Sequence, residues 1–362
     1  MGFRFLHTAD WQLGRPFASF EPDLAARLKE QRLDAIDRLA DLARQNGAQH
    51  VLVAGDVWDQ ATPADSVLLQ PIDIMAKAGD LHWWLLPGNH DPAGPASLWE
   101  RLAKHGLPKT ITPLTSPEPQ EVDEGVSILP APWFSNRPGR DLTADFDRMA
   151  TPPGYQRIGL AHGSVQGFGS DPDAQFPIAP DRAERSGLAY LALGDWHGTK
   201  RVATRTWYAG TPEPDRFRNN DAGHALLVDL DQDEPQRLVT KAYAWDRLEI
   251  SLDRTADVEA MLRQALSSSW PGHRRLVQLA LAGDVTMDGR RTLQALIDAE
   301  TPKLAYLDLR DGDLAIRADE VSTEFADPVL ADTAQRLASL QGPDAGHAQD
   351  ALLLLDRFAR GS

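Results

Sequence analysis

The sequence predicts an α/β protein with a second, smaller α/β unit and a short helical tail. Over the first 245 residues, short apolar runs alternate with segments whose apolar residues repeat at helical spacing. From Asp246 a shorter strand-helix-strand-helix-strand succession follows. At 362 residues the chain is too long for one ordinary core, so we expect a large domain over 1–245, a small α/β domain over 246–326 and a tail over 327–362.

Taken in order, Phe3–Leu6 reads as a strand. Leu24, Leu28, Ile36, Leu39 and Ala43 keep helical spacing, and Asn46-Gly47 supplies the stop. His50–Ala54 is the second strand. Val67, Leu68, Ile72 and Met75 mark a helix ended by Gly79, and Leu81–Leu86 is the third strand. Ser116–Glu124, rich in proline and acid, reads as an exposed loop. Further strands are expected at Val126–Leu129, Arg157–Ala161, Tyr190–Leu193, Thr206–Ala209 and Ala225–Leu230. The smaller unit reads as strand Leu248–Leu252, helix Val258–Leu266, strand Arg275–Leu281, helix Thr292–Ile297 and strand Leu304–Leu309. In the tail, helices over Val329–Leu340 and Ala348–Phe358 are separated by the breaker Gln341–Gly346.

The absence of cysteine excludes disulfides, thiolate metal sites and a cysteine nucleophile. The N-terminus has Leu6 where a myristoylation signal needs Ser or Thr, and its apolar stretch is too short for a secretory core. The longest apolar runs, Trp83–Leu86 and Ala351–Leu355, fall far short of a bilayer span. A soluble cytoplasmic protein without membrane association is expected. Its net charge of −16 repels nucleic acid at long range, so a nucleic-acid substrate would need a local basic surface.

The informative pattern is where polar residues fall. Asp10-Trp11-Gln12, Gly55-Asp56-Val57-Trp58-Asp59, Gly88-Asn89-His90-Asp91, His162-Gly163 and Gly194-Asp195-Trp196-His197-Gly198 each follow a predicted strand, with glycines beside them. Strand ends at one sheet edge are where α/β proteins collect functional groups. Carboxylate, amide oxygen and imidazole together suit hard or borderline divalent cations, and acids gathered at one edge repel one another unless a cation neutralises them.

This ordered set resembles the calcineurin-like metallophosphoesterase superfamily. Within it, His7-Thr8-Ala9-Asp10-Trp11, Leu86-Pro87-Gly88-Asn89-His90-Asp91, Gly194-Asp195-Trp196-His197 and Tyr208-Ala209-Gly210-Thr211-Pro212 resemble the SbcD branch of DNA repair nucleases. The resemblance covers roughly the first two-thirds of the chain. It implies a β-sandwich flanked by helices, followed by a cap-like domain, and two divalent metals sharing Asp56. One metal would also take Asp10, Gln12 and His197; the other would take Asn89, His162 and Asp195. His90, oriented by Asp91, would act on the scissile phosphate or its leaving group, and Asp59 would orient a neighbouring ligand. The family usually has histidine at Gln12 and at Asp195. Both replacements offer harder oxygen donors and shift preference toward Mn²⁺ or Mg²⁺ and away from Zn²⁺, with Fe²⁺ also less favoured than Mn²⁺.

Other residues read more plainly. His7 is expected as a packed core histidine, and Trp83, Trp84 and Trp58 as packing, while Trp11 and Trp196 stay open between packing and base stacking. Arg15, Lys200, Arg201, Arg205, Arg216 and Arg218 are the candidate substrate-binding cations. The leading expectation is a manganese-dependent nuclease that cuts single-stranded DNA internally during repair. It would have a repair ATPase or helicase, or a second copy of itself, as possible partners. The alternatives are a small-molecule phosphodiesterase or phosphatase and a non-catalytic DNA-binding subunit.

Overall fold

The computed structural model describes residues 2–167, 177–253, 256–316, 325, 327–340, 347–348, 351–352, 354–355 and 358. By contacts the chain divides into two compact units: Met1–Asp215 with Asn219–Ala242, and Arg216–Arg218 with Tyr243–Ser362.

The first unit holds strands β1 (Arg4–Thr8), β2 (His50–Val53), β3 (His82–Leu85), β4 (Ile111–Pro113), β5 (Gln120–Asp123), β6 (Val126–Ala131), β7 (Gln156–His162), β8 (Tyr190–Gly194), β9 (Lys200–Ala203), β10 (Thr206–Tyr208), β11 (His224–Asp229) and β12 (Gln236–Val239). Its helices are α1 (Pro22–Gln45), α2 (Asp65–Lys77), α3 (Leu98–His105) and the single turn α4 (Arg182–Arg185). The strands form two six-stranded sheets, ordered β12-β11-β1-β2-β3-β4 and β5-β6-β7-β8-β10-β9. Strands β1 to β4 run parallel to one another, as do β6, β7, β8 and β10.

Period-two alternation sorts each strand between two cores. Phe5, Leu52, Trp84, Ile128, Ile158 and Ala192 face inward and fill the space between the sheets. Their neighbours Leu6, Val51, Val53, Trp83 and Leu85 point out and pack beneath the helices through Ile36, Leu39, Leu68, Met75 and Trp99. On the second sheet, Leu129, Ala161, Leu191 and Leu193 pack against Phe146, Met149 and Ala183. A central strand buried on both faces reads as a continuous apolar run, which is why β2 and β3 stand out in the sequence. The result is a mixed α/β sandwich of two sheets flanked by helices.

The expected loop Ser116–Glu124 is corrected in part: Gln120–Asp123 is an edge strand paired antiparallel with β6. Its residues alternate between half-buried and exposed, and the charges that make it look like a loop also suit a sheet edge. Helix α3, with only Leu98, Trp99 and Leu102 buried, is too short to register as a period.

In the second unit, β13 (Ala244–Leu252), β14 (Arg275–Val285) and β15 (Tyr306–Ile316) form a parallel sheet, joined by α5 (Val258–Leu266) and α6 (Met287–Glu300). Leu252, Leu262, Val277, Leu279, Leu281 and Leu293 make its core. The tail helix α7 (Pro328–Ala338) opens on Asp327, whose carboxylate accepts from the Val329 and Leu330 amides. The expected breaker Gln341–Gly346 and much of the last helix lie outside the described residues. No described helix is long and apolar enough to cross a membrane.

Candidate metal centre

The C-terminal ends of β1, β2, β3, β7 and β8 bring the polar loops together. Ligand atoms of Asp10, Asp56 and His162 lie within 4.8 Å of one another, and all three residues are buried. Asn89 joins them, its Oδ1 2.8 Å from His162 Nε2. His162 Nδ1 donates to the Ala54 carbonyl at 2.9 Å, which turns Nε2 toward Asp56 Oδ2 at 3.5 Å. A backbone partner of this kind fixes the ring and the tautomer of a metal-binding histidine.

The backbone is bent to make this possible. Of the seven non-glycine residues with positive φ among those described, four are Asp10, Gln12, Asp56 and Asp195. Such conformations cost about 1–3 kcal/mol each and persist where the surroundings impose them. Gly88 is required by close approach: a Cβ there would stand 2.2 Å from Asp56 Oδ1. Gly55, at φ +90°, would likewise drive a Cβ to 2.2 Å from His162 Nδ1.

Indole N–H groups pin the loops. Trp133 donates to the His162 carbonyl at 2.7 Å and Trp11 to Thr8 Oγ1 at 3.0 Å. Trp58 donates to the Val67 carbonyl at 3.2 Å. Pro71 inside α2 has no N–H to give that carbonyl, so the indole supplies the missing donor. Trp11 and Trp58 are buried, which settles both as packing; Trp196 is half-buried with Lys200 Nζ 4.9 Å from its ring centre. His7 is the core histidine expected, bonded to the Tyr190 hydroxyl and the Leu193 carbonyl.

Gln12 and Asp195 lie in the same cluster, with their donor atoms engaged. Gln12 Oε1 accepts from Arg15 at 2.8 Å, and its Nε2 is 3.3 Å from His197 Nε2. Asp195 Oδ2 accepts from Ser164 Oγ at 2.7 Å, while its backbone N–H donates to the Asp10 carboxylate. His90 is exposed, and its Nδ1 contacts the Asp59 carbonyl at 2.9 Å. That contact corrects the expectation that Asp91 orients His90. Asp91 is buried, and its carboxylate instead accepts from the backbone of Gly88 at 2.6 Å and Trp58 at 3.0 Å, holding two loops together.

Electrostatics match the geometry. Burial raises Asp10 to about 6 against the pull of His197 and His162. Burial opposes a charge on His162, yet Asp56, Asp10 and Asp195 carry it up to about 9. Burial with the Asp56 charge raises Asp91 as well. A divalent cation among these oxygens and Nε2 would relieve this strain. The donor set therefore fits the hard or borderline divalent metals.

Two residues invisible to the motifs complete the centre. Asp215, nearly fully buried, sits 3.2 Å from His197 Nδ1 and 3.3 Å from Arg15. Arg32, buried on α1, donates to the carbonyls of Trp11 and Glu213 and ties the first loop to the segment bearing Asp215. In the sequence, Asp215 reads only as an acid among basic residues.

The candidate cations meet different surroundings. Arg201 pairs with Glu234. Arg205 stands where β8 begins, at the sheet edge opposite Asp195, because β10 runs parallel to β8. Arg216 and Arg218 fall in the second unit. Arg15 and Lys200 remain beside the centre.

A two-sheet α/β sandwich with aspartates, asparagine and histidines converging at parallel strand ends has the donor set of a divalent-metal centre suited to hydrolysis. The family model for calcineurin-like phosphoesterases matches residues 3–184, just over half of the chain, and the protein belongs to that family. An uncharacterised metallophosphoesterase of Bacillus subtilis, YhaO, is 28% identical over 207 residues, covering 53% of this chain and 48% of its own. The SbcD subunit of the SbcCD nuclease from the same organism is 25% identical over 269 residues, covering 64% of this chain and 66% of its own. The chain thus spans about half to two-thirds of the length of these curated relatives. The solved structure of TT1561 from Thermus thermophilus aligns at 13% identity with a TM-score of 0.43, covering 66% of this chain and 100% of that one.

Proposed function

We propose that this phosphoesterase is a manganese-dependent nuclease that cuts single-stranded DNA internally, in repair. The observation that carries the reading is the convergence of Asp10, Asp56, Asn89 and His162 at one buried point, with oxygen-bearing Gln12 and Asp195 beside them. DNA as substrate is supported by the likeness to a nuclease subunit across 64% of the chain, beyond the span of the family model. The single-strand preference is supported by the net charge of −16, which does not suit a tight grip on long duplex.

Asp10, Asp56, Asn89 and His162, with His197, Gln12 and Asp195, would hold divalent cations. Bound there, such cations supply Lewis acidity that acidifies water and neutralises phosphate oxygens. The chain's own residues set the rest. The Asp59 carbonyl holds His90 Nδ1, so Nε2, 3.9 Å from Asp56 Oδ2, faces the reaction edge. From there it stabilises charge on a phosphate oxygen or returns a proton to the leaving alkoxide. The second unit is proposed as a DNA-facing cap, with a repair ATPase or helicase, or a second copy of the chain, as partner.

The deciding experiment is Mn²⁺-dependent cleavage of circular single-stranded DNA, with Asp56→Ala as control. Loss of the circle with the wild type alone supports the reading. An intact circle with digestion of linear DNA makes the protein an exonuclease. Failure on both moves the reading to a small phosphodiester substrate or to a non-catalytic binding subunit.

A further inference from the structure

A cavity of about 370 Å³ opens beside the centre, and the metal-binding residues account for only one of its walls. Asn89, His162 and Asp195 form that wall; Trp133, Asn136 and Arg137 stand among the residues that complete it. Most of its charged lining is already committed. Arg140 pairs with Asp145, and Asp141 accepts from the Thr143 amide and from Arg182. Arg137 is different: it is exposed, and among the described residues its guanidinium makes no hydrogen bond or ion pair. An uncommitted guanidinium beside a metal centre is suited to a phosphate oxygen. Leu142, Ile178 and the Trp133 ring, fixed by its bond to the His162 carbonyl, add apolar surface.

We propose that this cavity is a subsite for one unpaired nucleoside adjoining the scissile phosphate, with Arg137 on that phosphate and the apolar wall against the nucleoside. The volume lies at the low end of small-molecule sites, about 300–1,000 Å³, which accommodates a single nucleotide and leaves no room for its pairing partner. The inference rests on the phosphodiesterase reading above and extends it: the cavity, rather than a basic groove, selects unpaired substrate.

The test is equilibrium binding of thymidine 5′-monophosphate, thymidine and inorganic phosphate to the Mn²⁺-loaded protein, for the wild type, Arg137→Ala, Arg137→Lys and Asn136→Ala. The wild type is expected to bind the nucleotide at least about tenfold more tightly than either fragment, and Arg137→Ala to lose about tenfold, partly recovered by Arg137→Lys. Arg137 and Asn136 are exposed, so these variants should fold. Equal affinity for nucleotide and inorganic phosphate, or an Arg137→Ala protein that binds as the wild type does, overturns the subsite. Hydrolysis of bis(p-nitrophenyl) phosphate, which carries no nucleoside, is scored separately. Hydrolysis without nucleotide preference keeps the phosphodiesterase reading and removes the subsite; nucleotide preference without hydrolysis leaves a nucleotide-binding cavity but overturns its place beside a scissile phosphate, and the phosphodiesterase reading with it.

Discussion

Asp215 shows how a single buried carboxylate can govern the centre from behind. It faces His197 Nδ1 at 3.2 Å, leaving Nε2 turned toward Gln12. Loss of such an outer partner typically costs about 10–100-fold in metal affinity. Asp215→Asn should therefore weaken Mn²⁺ binding by that order in calorimetric titration; unchanged affinity would remove Asp215 from the centre. A second residue-scale prediction concerns acid stability. Burial holds His7 down at about 3, against an ordinary value of 6.5. Between those limits the unfolded chain takes up a proton that the folded one refuses. His7 thus contributes stability fully present above about pH 6.5 and lost as pH falls toward 3, at about 1.4 kcal/mol per pH unit. His7→Asn should show a shallower acid limb in urea titrations across that window. An identical limb would mean that the histidine is not kept neutral.

At the scale of elements, the link between α2 and the second metal loop is the most exposed to test. Pro71 leaves the Val67 carbonyl without its helical donor, and the Trp58 indole fills the gap at 3.2 Å. Trp58→Phe strands that acceptor, which alone costs about 1–3 kcal/mol, with a packing loss added. Pro71→Ala restores a backbone N–H to the helix. In a double-mutant cycle read by denaturation, the cost of Trp58→Phe should fall when Pro71→Ala is present, with coupling of at least about 0.5 kcal/mol. Strict additivity would show that the indole bond carries no weight. The parallel strands, the apolar alternation and most helix spans are legible in the sequence because β1 to β3 and β6 to β8 are central and buried on both faces. Edge strands β5, β9 and β12 are not, since each is short and mixes charged or polar residues into its apolar ones.

Across the whole molecule, the net charge of −16 bears on how the proposed DNA substrate would be held. Each phosphate contact on a single strand contributes about −0.7 to the slope of log affinity against log salt. With Arg15, Lys200 and Arg137 as the cations beside the centre, the slope should be no steeper than about −2. A slope several times steeper, measured by fluorescence anisotropy on an oligonucleotide, would locate the contacts on another basic surface.

The sequence by itself determined the chemistry: five polar loops after five apolar strands name the donor set, because strand alternation and turn glycines are local properties. The resemblance to the calcineurin-like family implies that histidine is usual where Gln12 and Asp195 stand. Only the tertiary structure decided which partners those groups meet. Arg15 takes the Gln12 oxygen, Asp59 rather than Asp91 holds His90, and Asp91 becomes a brace between backbones. It likewise set Arg205 at the far sheet edge. The physical reason is range. A hydrogen bond reaches about 3 Å in space irrespective of separation along the chain, so contacts such as Asp215 with His197 or Arg32 with Trp11 exist only once the sheets have brought distant loops together.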